Sequence, residues 1–180
     1  MAQGNQLPIL LLHEMAERGR QRAHNLPQQI EVRTTWDGVG FKIGDTLMVA
    51  ALEQVKEILT RVTISQIPGA KEWVKGVSNV RGNLLPILDL RGFLTGTSSK
   101  MSRHSRILVI QHQGINAGLI VDEVLGMRHF LEEEFREDVS SFDATYHKLL
   151  SGSYRQIRDH WAVFDIHKLV ETPEFLQVAA

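Results

Sequence analysis

The chain has 180 residues, no cysteine, and 20 basic against 21 acidic side chains, for a formal net charge of −1. This length suits one domain with a core of its own. The missing cysteines exclude disulfides, thiolate metal sites and cysteine nucleophiles. The balanced charge and an aromatic content of 7% argue against the basic, base-stacking surface of a nucleic-acid binder.

Residues 7–12 are apolar but interrupted by Pro8, far short of the roughly 20 residues of a membrane span. No basic segment precedes them, so neither a secretory signal nor direct membrane insertion is expected, and the reading is cytosolic. Leu12, Met15, Ala16, Gly19 and Ala23 recur at helical spacing among Glu14, Glu17, Arg18, Arg20 and Arg22, which predicts a short amphipathic helix. Leu26–Pro27 ends it, and a polar connection follows to residue 35. Residues 1–35 therefore read as an N-terminal helical extension and 36–177 as the domain proper.

From Trp36 the pattern becomes β. Residues 39–43 alternate, Gly44–Asp45 reads as a hairpin turn, and 46–51 continue as a strand. Residues 52–59 fit a strand edge or a helical turn. Residues 62–67 are β-branched up to the turn signal Pro68–Gly69. Residues 73–80 are apolar every three or four positions, which predicts a short helix or extended turn. Pro86 places the strand 84–90 on an edge or at a bulge. A serine-rich polar loop (96–104) precedes a buried strand at 107–110. The β pattern continues at 117–121 and 124–127 through Asp122–Glu123, an acidic, partly exposed stretch spans 130–142, and last strands lie at 146–154 and 161–166. A helical turn closes 166–170. Seven to ten short strands with frequent turns predict a barrel or sandwich architecture.

Chemistry is harder to find. His160 and His167 bracket one predicted strand at an odd separation and so face opposite sides. His104 and His112 share a face but lie roughly 26 Å apart at about 3.3 Å per residue. Neither pair suits one metal ion. The run Glu132–Glu133–Glu134 reads as solvated surface, and Lys100, Arg103, His104 and Arg106 as a solvated basic loop. Gly38, Gly40 and Gly44 match no phosphate loop and suit turns and bulges. No serine sits in a nucleophile elbow. No motif calls for a catalytic residue, a metal or a cofactor.

Arg81 stands apart, between an apolar approach and a glycine turn. Its stem suits burial, with the guanidinium aimed either at a partner or at an internal carboxylate such as Asp89 or Asp122. The segment Asn79-Val80-Arg81-Gly82, then Leu85-Pro86-Ile87-Leu88-Asp89-Leu90-Arg91, resembles the N-L-R-G…P-x-x-D-L-R signature of CheW-like domains. Val55-Lys56-Glu57-Ile58-Leu59, Trp73-Val74-Lys75-Gly76-Val77, Gly118-Leu119-Ile120-Val121-Asp122-Glu123-Val124 and Asp165-Ile166-His167-Lys168-Leu169 resemble further family segments in the same order.

The resemblance implies a mainly β fold of two interlocked five-stranded barrels. One is built from the middle of the chain, the other from its first strands and its C-terminal part. It implies a non-enzymatic adaptor between the regulatory domain of a CheA-type histidine kinase and the cytoplasmic tip of a methyl-accepting chemoreceptor, in receptor arrays at the inner face of the membrane. It carries Arg81 over as a receptor-coupling residue, and Val55 and Glu57 as partner-binding surface residues. The longer N-terminal segment, with the residues around Trp36 and Trp73, resembles the twitching-motility members of the family, which points to type IV pilus control. The competing expectation is a small-molecule-binding β-barrel without catalytic role. It needs a pocket with convergent polar groups, and the sequence displays no such cluster.

Overall fold

The structure, a computed structural model, describes residues 34–177 except positions 99 and 113; the helix expected near the N-terminus lies outside them. In chain order the elements are β1 (Thr35–Ile43), β2 (Thr46–Ala51), β3 (Val55–Leu59), β4 (Val74–Val80), β5 (Asn83–Asp89), α1 (Leu90–Thr95), β6 (Arg106–His112), β7 (Ile115–Val121), β8 (Glu123–Leu131), β9 (Phe135–Arg136), β10 (Leu150–Arg155), β11 (His160–Phe164), α2 (Ile166–Glu171) and α3 (Pro173–Leu176). They form a six-stranded sheet ordered β8-β1-β2-β11-β10-β9 and a five-stranded sheet ordered β3-β6-β7-β5-β4. The middle of the chain builds the second sheet, and the first two strands join the last four in the other, as the resemblance implied. The two-residue β9 raises the first sheet to six strands.

Side-chain alternation divides the interior into three apolar layers. Val39, Phe41 and Ile43 of β1 and Phe164 of β11 meet Leu108 and Ile110 of β6 and Leu119 and Val121 of β7 in one cluster shared by the two sheets. The opposite face of the six-stranded sheet buries Val49, Phe130, Tyr154, Trp161 and Val163. The opposite face of the five-stranded sheet buries Leu85, Ile87, Ile107, Val109 and Ile120, covered by Val62 and Ile64 of the β3–β4 connection. Gly38 and Gly40 make room in the first of these outer layers. A Cβ on Gly38 would lie 2.5 Å from Val49, and one on Gly40 would lie 2.9 Å from Trp161.

Several local expectations are corrected. Residues 73–80 form strand β4, not a helix. Val74 and Val77 share a face three residues apart because a bulge between Val74 and Gly76 inserts a residue into the ladder, while Val80 lies on the opposite face with Leu85 and Ile87. Residues 62–67 make no strand; Ser65 alone bridges to Val77. Residues 52–59 contain both elements expected of them, a 3-10 turn at 52–54 and the end strand β3 at 55–59. β5 is an interior strand, paired with β4 on one side and β7 on the other. Pro86 is tolerated because it faces Val77, whose N–H and C=O bond Ser65 instead, and because the β7 ladder begins only at Ile87.

Further along, the expected segments 117–121 and 124–127 fall in β7 and β8, and between them, at Asp122, the chain changes sheets. Phe130 is buried at 1% exposure, not partly exposed. Residues 147–149 form a 3-10 turn before β10, and Asp165 ends the β11 segment by capping α2 through the N–H groups of His167 and Lys168.

The β3–β4 connection lies against the outer edge of β4 through two Ser65–Val77 backbone bonds of 2.8 Å. Gly76 allows this: its φ is 137°, and a Cβ there would overlap the Ser65 carbonyl oxygen. Gly76→Ala is therefore expected to lower stability by about 2 kcal/mol or more, read as a fall in the urea midpoint at unchanged slope. Gly69→Ala, also at positive φ but with open space at its Cβ, should cost only the backbone term of about 1 kcal/mol.

Candidate partner-binding surface

The β4–β5 hairpin turns on Arg81 and Gly82, with φ of 52° and 87°. Two successive positive φ values define the type I′ turn, which favours Asn-Gly. Among the described residues Arg81 is the one non-glycine at positive φ. An arginine there costs about 1–2 kcal/mol of backbone strain. Asn79 Oδ1 steadies the turn by accepting from the Gly82 N–H at 2.9 Å.

The Arg81 guanidinium donates to Glu57 Oε1 at 2.6 Å. Glu57 lies on β3 and Arg81 follows β4, the two end strands of the five-stranded sheet. The pair therefore spans the seam where that sheet closes on itself. The Arg81 side chain is 79% exposed and Glu57 24%, so the stem is not buried as the sequence suggested. The expected internal partners are engaged elsewhere. Asp89 is fully buried, accepts from the Gly92 N–H at 3.0 Å as the cap of α1, and pairs with Lys75 at 3.3 Å. Asp122 accepts from the Gly44 N–H at 2.6 Å and lies 3.7 Å from Arg91, tying the β1–β2 turn to the junction between sheets.

Val55 is not part of this seam. The β3 ladder shifts between Val55 and Glu57, so Val55 pairs with Ile110 and Glu57 with Val109. Adjacent residues on β6 face opposite sides, so the two β3 side chains also face opposite sides. Val55 packs, half-buried, against the layer between the sheets. Around the seam, the five-stranded sheet and its connection carry exposed apolar side chains: Leu84 at 71%, Ile58 at 43% and Ile67 at 41%. The charged pair thus sits among exposed apolar side chains.

The fold also makes a contact that spacing along the chain hid. His112 Nε2 and His167 Nδ1 lie 2.9 Å apart although 55 residues separate them, because α2 packs beside the end of β6. His167 Nε2 faces Glu171 at 3.3 Å. Only the tertiary packing brings these rings together. Among the described residues no three His, Asp or Glu side chains are placed to share a metal ion.

The model of the CheW-like domain family matches residues 37–174. The chain belongs to the CheW-like family. It is 42% identical to Protein PilI of Pseudomonas aeruginosa over 174 residues, 97% of each chain. It is 28% identical to Protein FrzA of Myxococcus xanthus, over 77% of this chain and 88% of that one. The crystal structure of the scaffolding protein TtCheW from Thermoanaerobacter tengcongensis superposes with a TM-score of 0.67 at 26% identity, covering 78% of this CheW-like chain and 95% of that one.

The turn geometry separates stability from recognition. Arg81→Asn places the residue favoured by a type I′ turn at the strained position and removes an exposed ion pair of about 0–1 kcal/mol. The expected outcome is a urea midpoint unchanged or slightly raised, with stability within about 1 kcal/mol of wild type. A fall of several kcal/mol would mean that the ion pair holds the sheet closed.

Proposed function

We propose that this chain is a non-enzymatic cytoplasmic adaptor that couples the tip of a methyl-accepting chemoreceptor to the regulatory domain of a CheA-type histidine kinase, in the control of type IV pili. The observation that carries the reading is Arg81. A backbone conformation that disfavours arginine holds a mostly exposed guanidinium beside Glu57, and an exposed ion pair returns too little energy to explain it. Strain of this kind at a surface position is accounted for by a partner that uses the side chain. Membership of the CheW-like family and the similarity to PilI along nearly the whole chain support the same reading.

In this account Glu57, Arg81 and the half-buried Val55 belong to the partner surface. The adaptor works by bridging. Two compact lobes around one core present separate faces, and a partner interface of about 1,600 Å² in total is enough for stable docking. A receptor state that changes the relative energies of the bound kinase arrangements by about 1–3 kcal/mol gives substantial control.

Calorimetry with the isolated kinase regulatory domain tests this. Wild type is expected to bind with a Kd of about 1 μM or tighter, and Glu57→Arg to bind at least about tenfold more weakly while remaining folded. The charge swap Glu57→Arg/Arg81→Glu then assigns the role. Restored binding means the pair acts by fixing the seam, and continued loss means its charges touch the partner. Absence of binding by folded wild type would overturn the adaptor reading.

A further inference from the structure

The mouth of the six-stranded sheet holds a feature that the seam on the other sheet does not use. A cleft of about 400 Å³ opens between Trp36, Phe135 and Tyr154, with Val163 at its floor and Glu132 and Asp165 at its rim. Trp36 and Tyr154 stack at 5.5 Å between centroids, and Phe135 meets Tyr154 edge-on at 5.5 Å. Among the described residues no lysine, arginine or histidine lines the cleft. A second hollow shares Trp36 with it and adds Asp37 and Glu53, again with no basic residue among the described ones.

The polar groups here point to a ligand. Tyr154 is 3% exposed, lines the cleft, and its hydroxyl has no hydrogen-bond partner among the described residues. Burial first, and then the Glu132 carboxylate, push its pKa upward. One oxygen of Asp165 is occupied in capping α2, which leaves the other for an occupant. The walls are thus aromatic and the rim is negative, a combination that suits a cation on an apolar stem. The convergent polar cluster that was not visible along the sequence is assembled here from β1, β10, β11 and the turn after β8.

We propose that this cleft binds an organic cation, a guanidinium or ammonium group on a short apolar stem. The stem lies against the aromatic walls and the head group meets Glu132 and Asp165, with the Tyr154 hydroxyl as an added acceptor. The cation's source is either a free amine or an arginine or lysine side chain of another protein.

The test is two-dimensional NMR on the full chain, titrated with butylguanidinium and with its neutral counterpart butylurea. Butylguanidinium should give saturable shifts centred on the Trp36 indole N–H and the Phe135 and Ser151 amides. Butylurea, and butylguanidinium on Glu132→Gln, should bind at least about tenfold more weakly. Glu132 is exposed, so this variant keeps the fold. A bound cation should also lower the Tyr154 pKa, read as phenolate absorbance appearing at lower pH, because positive charge favours the phenolate. A blocked Ala-Arg-Ala tripeptide forms the second arm. Tighter binding than butylguanidinium identifies a protein side chain as the source, and weaker binding a free amine. Equal binding of butylurea, or shifts that never centre on Trp36, would overturn the proposal without touching the adaptor reading, whose residues lie on the other sheet.

Discussion

The constraint on which everything else depends is the apolar layer shared by the two sheets. Phe41, Ile43 and Phe164 from one sheet are buried against Leu108, Ile110 and Leu119 from the other. Fully burying such a side chain contributes about 1.5–3 kcal/mol, and neither sheet covers this face by itself. The chain path reinforces the pairing. It leaves the six-stranded sheet after β2, completes the five-stranded sheet, and returns at Asp122. Two lobes that share a core and cross twice behave as one rigid body. That suits the bridging role proposed above, in which partners are held at a fixed separation.

On this block the outer faces are free to specialise. The five-stranded sheet closes on itself through the Ser65–Val77 bridge and, at its rim, the Glu57–Arg81 pair. The first is a backbone contact made possible by Gly76; the second is exposed and sits on a strained turn. Closure therefore rests on the bridge and the apolar layer beneath it, which leaves the ion pair available for recognition. The six-stranded sheet instead ends in a stack of aromatic rings under an acidic rim, chemistry of a different kind.

The sequence revealed much of this because buried faces leave a periodic trace. β1 and β2 were legible from alternation and from Gly44–Asp45, and β6 from its continuous apolar run. The failures have specific physical causes. A one-residue bulge in β4 converts period two into spacings that read as helical. Pro86 suggested an edge because the Ser65 bridge, which frees it from the β4 ladder, comes from a segment with no strand partner of its own. Arg81 stood out from its sequence context and Glu57 through the resemblance, but their meeting depends on sheet closure. The same holds for the His112–His167 contact and the aromatic cleft, whose members are scattered along the chain. Local pattern reports which face a residue shows; only topology reports what it meets.

The central claim is that one rigid block bridges two partners at once. The most direct measurement is sedimentation of the full chain with the kinase regulatory domain and the receptor-tip helical hairpin, singly and together. The account predicts a ternary species whose mass is the sum of all three, at concentrations that saturate each binary complex. If adding the receptor hairpin instead displaces the kinase domain, so that only binary species form, the two partners compete for one surface and the bridging account is contradicted.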